Sequence, residues 1–321
     1  MCQSPLHDFL QGLPKCEHHA HLEGCLSPEL FFQLAERNGV PLPDLEANPA
    51  YASVVTLKER YKNFTSLDDF LVFFFQGMTV LQHEQDFTDL AWTYFQRAHR
   101  DGVHHAEVFF DPEVHRERGI PYETIVDGFS KGCRRAEREL GLTTRLIMCF
   151  VRHLPVSSAE KVYDEFVSAR HFEAGVVHCL GCSSTEIGPP KDMYRELYAA
   201  AAERGIPLTA HVGEVGDPTY ISAALELGVQ RIDHGIRLAD DPELMQRVAR
   251  EGILFDPLPS FERAAADDPA YEAHRLSVAE WCVIAENSVR GSWIGDSRKA
   301  ELLERIQVYV KKYLQVAAVG V

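Results

Sequence analysis

Apolar residues fall along this chain in short continuous runs separated by longer stretches in which they recur every third or fourth position. The runs are Lys15 to Leu22, His104 to Phe110, Thr144 to Val151, Gly175 to Leu180, Pro207 to Gly213, Arg231 to Gly235 and Ile253 to Phe255. A continuous apolar run of this length reads as a strand buried on both faces. The stretches Pro189 to Arg204, Pro218 to Leu227 and Pro242 to Arg250 carry helical patterning, and each is closed by a glycine: Gly205, Gly228 and Gly252. Helix, glycine stop, apolar strand is the rhythm of βα units, which predicts a parallel sheet with helices outside it.

Residues 26–102 are helical in pattern throughout and read as helices inserted after the first strand. They carry an aromatic stripe, Phe64, Phe70, Phe73, Phe74 and Phe75, which helical spacing assigns to core rather than to a lid. No repeat, linker or low-complexity tract divides the chain, so one domain over 1–321 is expected. The α/β architecture with this order is a TIM-type (β/α)8 barrel, yet seven runs are one short of the eight strands that closure needs.

Composition narrows the function. The chain has 321 residues and a formal charge of −16, which argues against a phosphate-backbone partner. No apolar run approaches the ~20 residues of a membrane span. Met1 to Leu13 holds no apolar signal core, and eight scattered cysteines look like reduced, packed thiols. The expectation is a cytoplasmic protein, with the nucleus as a second compartment, that binds neither nucleic acid nor membrane.

Candidate chemistry lies at the ends of the runs, where parallel barrels build their sites. The first run ends His19-Ala20-His21-Leu22-Glu23-Gly24. Side chains at i and i+2 of a strand share a face, so His19 and His21 point inward together; His18 faces the other way and reads as packing. The fifth run ends His211-Val212-Gly213-Glu214 and the sixth Asp233-His234-Gly235. Any one of these histidines is better explained as a hydrogen-bonded core residue. Four imidazoles at the same ends of three strands are not. Three neutral imidazoles plus an oxygen ligand, with one position open to water, make a catalytic zinc site. The fourth run has no terminal lysine to bridge a second metal, so one metal is expected. His178, in that run, reads as packing.

These motifs, with Asp267-Asp268-Pro269, resemble the adenosine/adenine deaminase family of metal-dependent hydrolases. The segments Leu13 to His19, Asp111-Pro112, Thr185 to Pro190 and Ala285 to Ser288 resemble its fungal-type adenine branch. Glu23 also favours that branch, because the nucleoside branch usually carries Asp there. The resemblance covers residues 1–258 and the last ~45 residues. It implies zinc-dependent hydrolytic deamination of a purine base, adenine, to hypoxanthine and ammonia. One Zn²⁺ would be bound by His19, His21 and His211 with Asp267 as oxygen ligand, lowering the pKa of its water toward ~7. His234 would orient that water and Glu214 would act as general acid. Asp268 would accept a hydrogen bond from the imidazole side of the purine, and the Gly181 backbone N–H would meet another ring nitrogen. Deamination of adenosine or N6-substituted AMP is the alternative within the family, and a non-catalytic relative the alternative outside it. Oligomeric state is left open.

The chain departs from the family in three places. Ser183 replaces an Asp after the fourth strand, and Val212 replaces an Ala. More serious, only nine residues, 258–266, separate Pro257 from Asp267, too few for a crossover helix and an eighth strand. Region 258–276 is shortened by some 40 residues relative to the family. The expected consequence is a barrel missing its helix 7–strand 8 segment, with Asp267 on a loop, weak zinc binding and poor turnover. Asp256 is the substitute oxygen ligand.

Overall fold

The computed structural model describes residues 6–186, 194–256 and 276–319. Seven strands run parallel in sequence order. They are β1 (Lys15–His21), β2 (Val103–Phe110), β3 (Thr143–Val151), β4 (Cys179–Ser183), β5 (Thr209–Val212), β6 (Arg231–His234) and β7 (Leu254–Asp256). β1-β2-β3-β4 form one sheet and β5-β6-β7 a second, linked by an isolated bridge from Leu180 to Leu208. The result is an α/β half-barrel of parallel strands, consistent with a TIM-type fold.

Six of the seven strands lie where the apolar runs place them, within one or two residues at most ends. The fourth is shifted. Gly175 turns in the left-handed region (φ 65°), and the strand starts only at Cys179. The apolar run therefore straddles a turn and the first residues of the strand, and His178 sits just before it. The three expected helix stops hold: Gly205, Gly228 and Gly252 all have positive φ.

Between β1 and β2 come four helices, α2 (Pro28–Asn38), α3 (Val54–Tyr61), α4 (Leu67–Met78) and α5 (Glu84–Arg100), following a short α1 (His7–Gly12). α2 starts at a Ser27 cap whose hydroxyl accepts the Leu30 N–H, with Pro28 in its first turn, where a missing N–H costs nothing. Short α6 (Pro112–Glu117) follows β2. Outside the later strands lie α7 (Tyr122–Leu140), α8 (Val156–Ser168), α9 (Arg195–Glu203), α10 (Pro218–Glu226) and α11 (Pro242–Glu251). α12 (Val278–Gly291) and α13 (Asp296–Val319) pack with α1 in a separate small core around Phe9, Val289 and Ile306. Ser288 ties α12 to the sheet by accepting the Cys16 N–H at 3.1 Å.

The strand pleat sorts residues by parity. Even-numbered residues of β2 and β3, such as Val108 and Met148, join the large core under the helices, while Phe109, Ile147, Cys149 and Cys179 make a small interior cluster with Trp293 against it. Charge occupies the same interior. Arg231 donates to Glu107 through its terminal nitrogen and to Asp233 through Nε (3.2 Å), and all three are fully buried. Glu107 also accepts from His105 Nε2 (3.1 Å) and from the Trp293 N–H, whose ring lies 3.9 Å under the guanidinium. Burial pushes Glu107 up, but the His105 hydrogen bond and the Arg231 charge outweigh it and hold the carboxyl below its usual range.

Among the described residues the seven cysteines are free thiols, five of them buried, and no helix is long and apolar enough to cross a membrane.

Glu107→Ala leaves the Arg231 guanidinium buried without its main partner. The expected loss is about 3–5 kcal/mol, read as a lowered urea midpoint; a loss below ~1 kcal/mol would mean that Arg231 is not held by this pair.

Candidate active site

Odd-numbered positions carry the sites on β1 to β5. His19 and His21 on β1, Ser183 on β4 and His211 on β5 line a cavity of about 500 Å³, joined by Asp111 just past β2. His234, on β6, has the wrong parity, since its neighbour Asp233 holds the interior position. It reaches the cavity because its backbone adopts φ 72°, a strained conformation for a residue with a Cβ that is characteristic of functional sites. Its ring lies 4.5 Å from that of His19.

One ligand nitrogen from each of His19, His21 and His211 falls within 4.8 Å of the others, and the Nε2 atoms of His21 and His211 are 2.8 Å apart. His211 Nδ1 lies 2.9 Å from the Cys182 carbonyl. A carbonyl can only accept, so Nδ1 carries the proton and Nε2 presents its lone pair to the centre. Asp233 Oδ2, 3.4 Å from the same Nδ1 and bonded to Thr209 Oγ1, supports that tautomer from below. Burial first, then the neighbouring imidazoles, hold His19 and His211 far below the usual histidine range, and burial with His234 holds His21 to about 3. Three neutral nitrogens in a dry pocket are the donor set a divalent metal takes, because ligands must bind deprotonated.

Glu214 follows β5 on a loop and lies beside His234, Oε2 to Nε2 at 3.4 Å, with about an eighth of each side chain exposed. The loop turns at Gly213 (φ 68°), where a Cβ would sit 2.6 Å from Ile221, so only glycine fits. Glu186 accepts backbone N–H groups of this loop.

The aromatic stripe divides. Phe64 and Phe73 are buried in the main core as expected, but Phe70, Phe74 and Phe75 on α4, with Leu67 and Leu71, wall the cavity. The expectation of core alone is corrected for that half. An α4 with two apolar faces buries one and lends the other to the site, which periodicity cannot distinguish.

Gly181 is also placed differently. The later start of β4 puts it mid-strand, paired with Cys149, where a Cβ would meet Thr209 Cγ2 at 3.0 Å and Cys149 Sγ at 3.1 Å. Its glycine serves packing inside the sheet. The cavity lining includes Ser183 and Ser184 but not Gly181, and Ser184 carries the left-handed backbone (φ 77°) there. Asp267 and Asp268 lie outside the described residues; Asp256 ends β7 opposite Asp233.

Several site residues had no role assigned from sequence. Asp111 Oδ2 approaches His21 Nδ1 at 3.9 Å, and Asp111 Oδ1 accepts from Ser183 Oγ at 3.0 Å, so Ser183, in place of the family's Asp, donates to a carboxylate. Glu23 turns away from the cavity: its Oε1 accepts from the Asp111 N–H (3.0 Å) and from His115 Nε2 (3.2 Å). Burial raises Glu23 to about 7, and burial with the Glu23 charge raises Asp111 well above its usual range. Arg152 clasps the mouth, donating to the carbonyls of His211 and Ser184. The motif Asp111-Pro112 was the visible signal for one of these; the rest are set by contacts between strands.

The cavity, polar on its floor and aromatic on its wall, stands at the carboxyl ends of parallel strands, where α/β enzymes build their sites. The chain belongs to the adenosine deaminase family, whose profile matches residues 14–266. It is similar to the adenine deaminase of Aspergillus fumigatus, with 60% identity over 354 aligned positions covering 99% of this chain and all of that protein. The crystal structure of adenine deaminase from Arthrobacter aurescens superposes with a TM-score of 0.85 at 36% identity, covering 94% of this chain and 100% of that one. An amidohydrolase from Burkholderia ambifaria, solved with bound Zn, shares the fold with a TM-score of 0.81 at 24% identity, covering 99% of this chain and 96% of that one.

Beside the site, Glu113 accepts the Val151 N–H at 2.6 Å, and burial, with Asp111 adding, raises its carboxyl to about 8. Above pH 4.5 the unfolded chain ionises this group while the folded one keeps its proton, so its contribution to stability falls as pH rises toward 8. Glu113→Gln keeps the acceptor and removes the ionisation. Thermal unfolding of this variant is expected to show a raised midpoint at pH 8 and little change at pH 5; an equal shift at both would exclude the ionisation as the cause.

Proposed function

We propose that this chain hydrolyses adenine to hypoxanthine and ammonia. The observation that carries this reading is the convergence of three neutral imidazoles beside the Glu214–His234 pair under an aromatic wall. The identity to proteins named adenine deaminases supports the free base as substrate.

His19, His21 and His211 fit one zinc ion, and Asp267 would supply the oxygen ligand that the family resemblance implies. When bound, zinc supplies an acidified water and a fixed positive charge. The other steps belong to the protein. Phe70, Phe74 and Phe75 offer ring surfaces to a flat purine and keep bulk water from its face. Addition of water to the carbon bearing the amine breaks ring aromaticity, which is feasible only as the adjacent ring nitrogen gains a proton. Glu214 holds that proton on its carboxyl and delivers it, then carries one proton of the water to the departing amine, which leaves as ammonia, and recovers the other from the added hydroxyl as the carbonyl forms. His234, beside Glu214 at 3.4 Å, orients the attacking oxygen. Asp268 holds the imidazole edge of the base.

The domain reading is a single (β/α)8 barrel over 1–321 with its helix 7–strand 8 segment missing. Two observations support it: a family match that stops at residue 266, and 354 aligned positions against 321 residues, a difference of 33. They also favour a second reading, in which the family's chemistry is retained but zinc is held weakly and turnover is poor, because Asp267 follows the shortened stretch.

Bound zinc and adenine-dependent ammonia release, measured on one purified preparation with adenosine as comparison, separate these. Adenine is expected to be the better substrate, and chelation is expected to abolish turnover. Glu214→Gln should lower kcat about 10²–10⁴-fold with zinc retained, whereas His211→Ala should lose the metal. Full zinc with ordinary turnover refutes the weakened reading; full zinc with no adenine turnover refutes the adenine reading.

A further inference from the structure

The loop from β5 to α10 carries Glu214 and offers four consecutive backbone N–H groups on one side. All four are taken by one carboxylate. Glu186 Oε1 accepts from Gly213 at 2.6 Å, and Oε2 accepts from Glu214 at 3.0 Å and from Val215 and Gly216 at 2.9 Å each. Successive N–H groups converging in this way form an anion-binding concavity, and charge-assisted bonds of this kind are roughly twice as strong as neutral ones.

The loop is also held at Gly213, whose carbonyl accepts the Arg237 N–H at 2.9 Å. Its start is the Gly213 turn, and its end is the Asp217 cap of α10, whose carboxylate accepts the Thr219 N–H at 2.8 Å. Arg152, which donates to the Ser184 carbonyl two residues before Glu186 and to the His211 carbonyl two residues before Gly213, lies between the two partners and balances the Glu186 charge.

We infer that Glu186 is a positioning residue for the deamination: its carboxylate, seated in the four N–H groups of 213–216, sets where Glu214 stands against His234 and substrate. The inference rests on Glu214 acting as the proton carrier. Glu186 is not one of the three clustered imidazoles and does not itself line the cavity; it meets the lining through the Glu214 N–H, so its removal displaces Glu214 while leaving the metal donors in place. A displacement of about 1 Å can cost ~100-fold in rate.

The test compares Glu186→Ala, Glu186→Gln and the unaltered protein. Glu186→Ala is expected to lower kcat about 10–100-fold, with bound zinc and KM for adenine nearly unchanged. Formate, small enough to enter the vacated N–H cradle, is expected to restore kcat in the alanine variant and not to stimulate the unaltered protein. Glu186→Gln, which keeps one acceptor oxygen but turns an amide donor on the other N–H groups, should fall between them and fold even where the alanine variant does not. A readout that needs no turnover is amide hydrogen exchange: protection at 213–216 is lost in Glu186→Ala and recovered with formate. Unchanged protection in both variants overturns the inference, as does a kcat loss that tracks loss of zinc. Lost and rescued protection in a protein that fails to turn over adenine sustains the Glu186 clasp and places the fault in the assigned reaction.

Discussion

Arg231, Glu107 and Asp233 meet inside the sheet, each fully buried, and the mouth of the half-barrel is built on how they are paired. An isolated charge at that depth costs several kcal/mol, so each is matched by an opposite one. Glu107 takes His105, Arg231 and the Trp293 N–H; Arg231 passes on to Asp233; Asp233 takes Thr209 and faces His211 Nδ1. The ladder runs from the floor to a cluster imidazole, two residues at a time along the pleat. Its top rung supports the tautomer that the Cys182 carbonyl sets, with the proton on His211 Nδ1 and the Nε2 lone pair facing the cluster.

Above that floor the site is held by backbone in unfavourable conformations and by side chains that tie one strand to another. His234 and Ser184, both with positive φ, stand at two strand ends, and Gly213 turns between them. Arg152 joins the ends of β3, β4 and β5. Such strain persists only when surrounding contacts over-determine it, and here those contacts come from three strands and the loop after β4. α4 brings the aromatic wall from the inserted helices, so the cavity is shared between the sheet and a segment outside the βα rhythm. Membership of the adenosine deaminase family accounts for the arrangement as a whole; the ladder and clasp explain how this chain keeps it rigid.

Strand positions, the parallel order and the inward pair on β1 are legible from the amino-acid order because they depend on local periodicity: a run buried on both faces and alternate residues sharing a side need no partner to be recognised. The same is true of glycine stops and of His211 and Glu214 at a strand end. The fourth strand was less legible, since the run Gly175 to Leu180 gives one unbroken signal across a turn and the first residues of the strand at Cys179.

What only tertiary structure decided is which residue faces which. Parity alone would turn His234 outward, and a left-handed backbone turned it in. The family resemblance implies a substrate contact at Gly181; in the structure Gly181 lies mid-strand opposite Cys149, and Ser183 and Ser184 line the cavity. An aromatic stripe has one period whether it fills a core or walls a site, so Phe73 and Phe74 parted only when α4 met the sheet. The ladder of Glu107, Arg231 and Asp233 joins residues 124 apart in sequence; a pairing across that distance leaves no periodic trace, because it is imposed by closure of the sheet and by the cost of leaving a buried charge alone.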